Sequence, residues 1–405
     1  MGNEQHHLAG EDPKQGVREA AGDPPEPPQG IEKGGTGIET DKHRCDDATG
    51  TPRRDVDAAV RVGIDGKCLQ PPRAGVARYL EGLLQGLSEL GASGLDIEVL
   101  QPERPRRTLP WVLWDLQRAT GRGFELFHFA FYYPPLRPRC PYTVAIHDVL
   151  VLEHPEWFPR AWANPIRRLL PRGARRAAAV IASGNAAAET IAARCGVARE
   201  RIRVIPYGLD PARFAPPDTA RVAESVARLG LRQPFLLQVG SLEPRRGIDL
   251  AVAATAALRS EGRQVDLVVV GEQRARVVAL AAPPPWVRLI GRVDDADLPA
   301  LYAGAAAVLA PSRGEGFDLP VLEALGSGAV VVASDIDVHL EHFAGAVETF
   351  RSGDARALAT ACRLVLDDAE RVSALRAAGS CLAARFTWRE CAQRHVELWR
   401  EVAQR

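Results

Sequence analysis

At 405 residues the chain exceeds one ordinary domain and fits two or three. Apolar residues at 46% and charged residues at 25% exclude a wholly disordered or collagen-like polypeptide. Lys+Arg 51 balances Asp+Glu 51, a formal net charge of +0 that taken alone argues against a nucleic-acid binder.

Residues 1–58 come first and differ from all that follows. They are rich in Pro, Gly, Asp and Glu, carry 7 Lys+Arg against 13 Asp+Glu, and hold almost no large apolar side chain. Such a stretch buries too little surface to offset chain entropy and is expected to be a disordered acidic tail. Neither the N-terminus nor any later segment shows a basic-then-apolar leader or about 18 uninterrupted apolar residues, so no membrane span is expected. Seven cysteines without a C-x-x-C pair give neither a zinc ribbon nor a disulfide framework, and a cytoplasmic location is expected.

From Val60 short apolar runs alternate with helical spacing: VRVGID, YTVAIHD (142–148), AAVIAS (178–183), IRVIPYG (202–208), FLLQVGS (235–241), VDLVVVGE (265–272), VRLIGRV (287–293), AAVLAPS (306–312) and AVVVAS (329–334). Runs of this length bounded by Gly, Pro or Asp suit strands buried on both faces of a parallel sheet. Between the first two, Val76, Tyr79, Leu80, Leu83, Leu84, Leu87 and Leu90 mark one face of a helix. The alternation predicts an α/β fold. The stretch around Pro216-Pro217 fits neither pattern and predicts a linker at 213–231, between domains at 59–212 and 232–386. A last helix is expected over 387–405, where Trp388, Cys391, Val396, Leu398, Trp399 and Val402 are spaced for it.

Four places could carry chemistry. Ala74-Gly75-Val-Ala-Arg78-Tyr79 is a small-residue turn opening the first helix, where Gly75 allows close approach of a ligand to backbone; it lacks the further glycines of a dinucleotide fingerprint. The strand Thr143-Val-Ala-Ile-His147-Asp148 ends in a histidine that is either a buried, satisfied imidazole or a group facing a cleft. Gly240-Ser-Leu-Glu-Pro-Arg245-Arg246-Gly247 puts a glycine and two guanidiniums past a strand end, where ligands of parallel sheets bind and where a diphosphate could be neutralised. Finally Glu315-Gly-Phe-Asp-Leu-Pro-Val-Leu-Glu323 follows a strand and opens a helix at Pro320, leaving N–H groups near Asp318 and Leu319 for an anion. Alone, each also reads as an ordinary loop with solvated charges.

Taken together in this order, with VIPYGLD, LIGRV, LPALYAGAAAVLAPS and ASDIDVH between and after them, these segments resemble the retaining glycosyltransferases of family 4. The resemblance runs from about Val60 to the C-terminus. It implies a GT-B fold, two Rossmann-like doubly wound domains facing each other across a cleft, with a C-terminal helix crossing back to the first. It implies transfer of a mannose- or glucose-type hexose from a nucleotide diphosphate sugar (GDP, UDP or ADP) to a sugar, glycolipid or glycan acceptor, without a metal or other cofactor. By position, Glu315 and His147 would meet the donor sugar, and Glu323 the ribose. Gly240, Arg245, Arg246 and the backbone of Asp318 and Leu319 would hold the diphosphate, with Gly316 and Phe317 completing the donor loop and Arg292 and Val293 passing the nucleobase. Gly75, Arg78 and Tyr79 would lie on the acceptor side.

Arg246 stands where the family usually has Lys, Asp318 where it has Gly, and Ala77 where Gly is common. Asp318 brings a carboxylate to a phosphate site and must turn to a sugar hydroxyl or a cation. Two other readings compete: a non-catalytic nucleotide-sugar-binding module, and a sugar-nucleotide epimerase of the same fold. Segment by segment the zero charge divides: residues 59–210 hold 21 Lys+Arg against 14 Asp+Glu. That excess, with the arginine-rich 160–176, predicts peripheral contact with an anionic membrane or acceptor.

Overall fold

The computed structural model describes residues 59–71, 75–91, 94–102, 110–132, 134–273 and 278–405, so the stretch 1–58 lies outside the described residues. Two six-stranded sheets form the frame. The first holds β1 (Val60–Asp65), β2 (Leu95–Leu100), β3 (Leu126–Phe129), β4 (Tyr142–Ala145), β5 (Ala179–Ala182) and β6 (Ile202–Val204), in the order β2-β1-β3-β4-β5-β6. The second holds β7 (Phe235–Val239), β8 (Asp266–Val270), β9 (Val287–Gly291), β10 (Ala307–Ala310), β11 (Val331–Ser334) and β12 (Glu348–Phe350), in the order β12-β11-β10-β7-β8-β9. Every pairing is parallel. Such sheets are buried on both faces by their crossover helices, which is why the central strands read as unbroken apolar runs. Each sheet reverses its winding once, between β1 and β3 and between β7 and β10, and ligands of such sheets sit outside the strand ends at that reversal.

Among the described residues the α-helices of four residues or more are, in chain order, α1 (Gly75–Leu90), α2 (Leu150–Glu153), α3 (Arg160–Arg176), α4 (Asn185–Cys195), α5 (Thr219–Arg228), α6 (Ile248–Ser260), α7 (Leu298–Gly304), α8 (Leu319–Gly326), α9 (Asp337–Phe343), α10 (Ala355–Asp367), α11 (Ala369–Ala383) and α12 (Trp388–Ala403). The stretch expected to be a linker contains α5. Asp218 caps it, accepting from the N–H of Arg221 at 2.7 Å, and Ser225 and Arg228 both donate to Asp297 in front of α7. Pro216-Pro217 lie before the helix, where proline is tolerated, so their breaking effect ends at its first residue.

The apolar side of α3 also faces inward. Ala163, Ile166, Leu170 and Ala174 are buried, so the apolar residues of this arginine-rich segment are spent on the core, leaving Arg167, Arg168 and Arg172 exposed.

The last helix ties the molecule together. Thr387 caps α12 through the N–H of Glu390 at 3.1 Å, and α12 then lies along α1 in the first domain. Three glycines accept Trp388: a Cβ on Gly82 would lie 2.0 Å from its indole, and Cβ atoms on Gly86 and Gly208 would each lie 2.1 Å from its backbone. Further along, the hydroxyl of Tyr79 bonds His395 Nε2 at 2.9 Å and His128 Nε2 at 3.2 Å. The two domains also meet across the cleft. The Glu341 carboxylate on α9 accepts from the N–H groups of Asn185 (2.6 Å) and Ala186 (2.8 Å), capping α4 of the other domain.

Candidate active site

At the reversal between β7 and β10 the strand ends open. Gly240, Gly271 and Gly291 end β7, β8 and β9 side by side, joined by Gly240 N–H to Val270 O (2.9 Å) and Gly271 N–H to Gly291 O (2.8 Å). All three have positive φ, 141°, 143° and 67°, backbone that favours glycine and leaves the floor of the cleft without side chains.

Over this floor stand two guanidiniums. Arg245 donates from Nε to Glu243 (2.8 Å) and from Nη1 to Glu315 (2.8 Å). Arg246 Nη1 reaches Asp318 Oδ1 at 2.8 Å and Glu315 Oε1 at 3.0 Å. Its Nε is buried with no partner, and the guanidinium lies 3.3 Å from where a Cβ on Gly240 would be. Burial disfavours both charges, but Glu315 leads the carboxylates that overcome it and hold each arginine above its usual value.

Of the two predicted glutamates one lies within this cluster and the other is bonded to different partners. Glu315 is fixed by the two arginines and by the Ser312 hydroxyl at 2.8 Å. Glu323, on α8, is 1% exposed; it accepts from the Tyr302 hydroxyl at 3.1 Å and from Arg78 of α1. Arg78 also reaches Asp295 at 3.2 Å. Asp318 begins α8 and, as its position required, turns to cations: Arg246 and His339 Nε2, the latter at 3.0 Å. Burial raises its pKa, yet Arg246 and His339 hold the carboxyl well below the ordinary range.

At Gly316 the two domains touch. Its carbonyl accepts from the Ser183 hydroxyl at 2.6 Å, and a Cβ there would lie 1.7 Å from the His147 carbonyl oxygen. Phe317 packs on Tyr207 at 4.8 Å between ring centroids. Beside Glu315 a cavity of about 340 Å³ remains between the domains, lined by Asp148, Glu153, Thr190, Arg313 and Val338 among others.

Of the residues singled out in the sequence, Gly240, Arg245, Arg246, Glu315, Gly316, Phe317, Asp318, Leu319 and Glu323 converge here. Arg292 and Val293 follow Gly291 at the rim, Arg292 exposed and Val293 half-buried. His147 does not present its ring to the cleft. Nε2 meets the Ala130 carbonyl at 2.8 Å and Nδ1 meets the Tyr207 hydroxyl, so both nitrogens are occupied, and burial lowers its pKa. Of the three residues expected on the acceptor side, Gly75 is exposed with open space around it. Arg78 sits on Glu323, and Tyr79 is core, placed by the same helical spacing that buries Leu80 and Leu83. His339 and Tyr302 were not singled out, their only signals being the quoted segments ASDIDVH and LPALYAG that contain them; Asp148 was named beside His147 but given no role.

Two family models match the chain: "Glycosyltransferase Family 4" over residues 94–213 and "Glycosyl transferases group 1" over residues 233–368. Similar proteins include the O-antigen chain mannosyltransferase B of Escherichia coli, 25% identical over 322 residues, 78% of this chain and 82% of that one. The alpha-D-kanosaminyltransferase of Streptomyces kanamyceticus is 29% identical over 51% of this chain and 57% of its own length. Among solved structures, Anabaena HepE in complex with UDP and glucose superimposes with a TM-score of 0.65 at 18% identity, covering 84% of this chain and 99% of that one. WaaG, a glycosyltransferase involved in lipopolysaccharide biosynthesis, gives 0.66 at 16% identity, with 84% and 99% covered.

Proposed function

Because the chain belongs to glycosyltransferase family 4, we propose that it moves a hexose from a nucleotide diphosphate sugar to an acceptor hydroxyl, with retention of configuration and without a metal ion. The observation that carries this reading is the buried, unpartnered Nε of Arg246 above a glycine floor at the sheet's reversal. A guanidinium N–H buried without an acceptor is costly, and a phosphate oxygen over Gly240 would satisfy it.

In this reading the second domain (232–386) takes the donor and the first (59–212) the acceptor. The diphosphate lies between Arg245, Arg246 and the backbone N–H groups of Asp318 and Leu319 at the start of α8. Glu323 receives the ribose hydroxyls by exchanging its bond to Arg78, and the base passes Arg292 and Val293. The sugar lies against Glu315, Gly316 and Phe317. In the transfer the bond from C1 to the phosphate oxygen breaks, the acceptor oxygen bonds C1 from the same face, and its proton passes to the departing diphosphate. The negative charge that builds on that diphosphate is met by guanidiniums already in place. The similarity to a mannosyltransferase of O-antigen chains supports a glycan acceptor.

Calorimetric titration with GDP, UDP, ADP and their sugars is expected to show binding of one nucleotide class. Glu323→Gln should weaken that binding about 10- to 100-fold, the loss of a charged hydrogen bond. If no nucleotide binds, the proposal is wrong; if one binds but no sugar is ever transferred or hydrolysed, the chain is the non-catalytic module instead.

A peripheral membrane contact has one observation in its favour, the exposed Arg167, Arg168 and Arg172 of α3, which have no ion-pair partner among the described residues. With the apolar side of α3 buried, such contact rests on charge alone. Flotation with anionic vesicles should therefore show binding at low salt that is lost at about 0.5 M salt and in the variant Arg167→Glu/Arg168→Glu.

A further inference from the structure

Asp318 is the sole non-glycine residue with positive φ among the described residues, at 71°, a conformation that costs a side chain on the order of 1–2 kcal/mol. Its carboxylate is buried between two cations, Oδ1 on Arg246 Nη1 at 2.8 Å and Oδ2 on His339 Nε2 at 3.0 Å. His339 is itself wholly buried. Its Nδ1 faces the Ser334 carbonyl oxygen at 2.9 Å, and the Ser334 hydroxyl already donates to the Ser312 carbonyl at 2.6 Å. Both nitrogens of the ring thus meet acceptors, so both donate and the imidazole is charged. With that proton the cluster balances: Arg245, Arg246 and His339 against Glu243, Glu315 and Asp318.

We infer that His339 is a positioning residue for donor binding: by holding the Asp318 carboxylate from behind, it releases Arg246 to take a phosphate oxygen. The inference rests on the donor-site reading above. Without the His339 charge, Asp318 has only Arg246 to neutralise it, and the incoming diphosphate meets an uncompensated carboxylate and an arginine already spent. The charges facing His339 are Asp318 ahead of α8, Glu315 after β10, Arg246 after β7 and, one turn along α9, His342. Burial pushes His339 down, but the bond and charge of Asp318, with the Ser334 carbonyl and Glu315, raise it above 6.5. The charged form is therefore complete below that value and is lost as pH rises through the raised one. Donor affinity should decline as pH rises through that raised value.

The test compares wild type, His339→Gln, Asp318→Gly and the double variant, each titrated calorimetrically with the nucleoside diphosphate that wild type binds, from about pH 6 to about pH 9. His339→Gln should weaken binding about tenfold at about pH 6, where the histidine is charged, and remove the decline with rising pH. Asp318→Gly, which removes the carboxylate and suits the positive φ, should bind without that decline. Combined with His339→Gln it should restore affinity to within about twofold, since no carboxylate is left to neutralise. An equal loss from His339→Gln in both backgrounds, or a decline that persists in His339→Gln, overturns the inference while leaving the donor site standing. A wild type that binds no nucleotide overturns the donor-site reading and this inference with it.

Discussion

Glu315→Gln is expected to lower the rate of sugar transfer by about 10²–10³ while nucleotide affinity stays within about tenfold. The two effects separate because of where the carboxylate sits. Arg245, Arg246 and Ser312 hold it rigidly at the edge of the interdomain cavity, so its charge is aimed rather than mobile. A sugar losing its bond to phosphate develops positive charge near C1, and a fixed carboxylate stabilises that charge only as it forms. Glutamine keeps the shape and one acceptor oxygen but not the charge. The nucleotide should feel little loss, because the two arginines freed from one carboxylate remain available to the diphosphate. Single-turnover transfer and calorimetry on the same preparation separate the two outcomes; a variant that transfers at the wild-type rate would remove Glu315 from the chemistry.

The second large effect concerns stability. Trp388→Ala should lower the free energy of unfolding by about 3–5 kcal/mol, read from the urea or thermal transition. Its indole, 5% exposed, stands directly over Gly82, and Gly86 and Gly208 close on its backbone. Gly82 offers no side chain to fill the space it leaves, and Tyr207 covers the indole from only one face, stacked at 6.3 Å between ring centroids. The reverse change, Gly82→Val, removes the same seat from the other side and should loosen α12 from α1 as well. An unchanged transition in Trp388→Ala would mean that α12 contributes little to holding the chain together.

Much of the frame was readable because a parallel sheet announces its inner strands. β4, β5, β7, β8, β10 and β11 are each a short apolar run ended by Gly, Ser, Asp or a turn, and each was found. The strands that escaped lack that signature. β2 is an edge strand alternating acidic and apolar residues, β12 is an edge strand of three residues, and the apolar run of β3 is broken by His128, which is satisfied inside by Thr143 at 2.9 Å and by Tyr79. At the site, the loop residues from Gly240 to Arg246 and from Glu315 to Glu323 were found because glycines, charges and a helix start coincide there. His147 and Tyr79 show the limit of such reading: a polar group at a strand end or on a helix tells nothing of which way it turns until its partners are known. His339 was beyond reach for a related reason, since its importance comes from Asp318, 21 positions earlier in the chain.

The cap on α4 has a mechanical meaning. The helix belongs to one domain and the carboxylate that terminates it, Glu341, to the other, so the domains cannot part without stripping two N–H groups of their acceptor. Burial raises the Glu341 pKa, but those bonds prevail and keep it below the ordinary value. Parting of the domains at this contact and fraying of the start of α4 are then a single event, because the same two bonds hold both. One domain thus finishes the secondary structure of its neighbour.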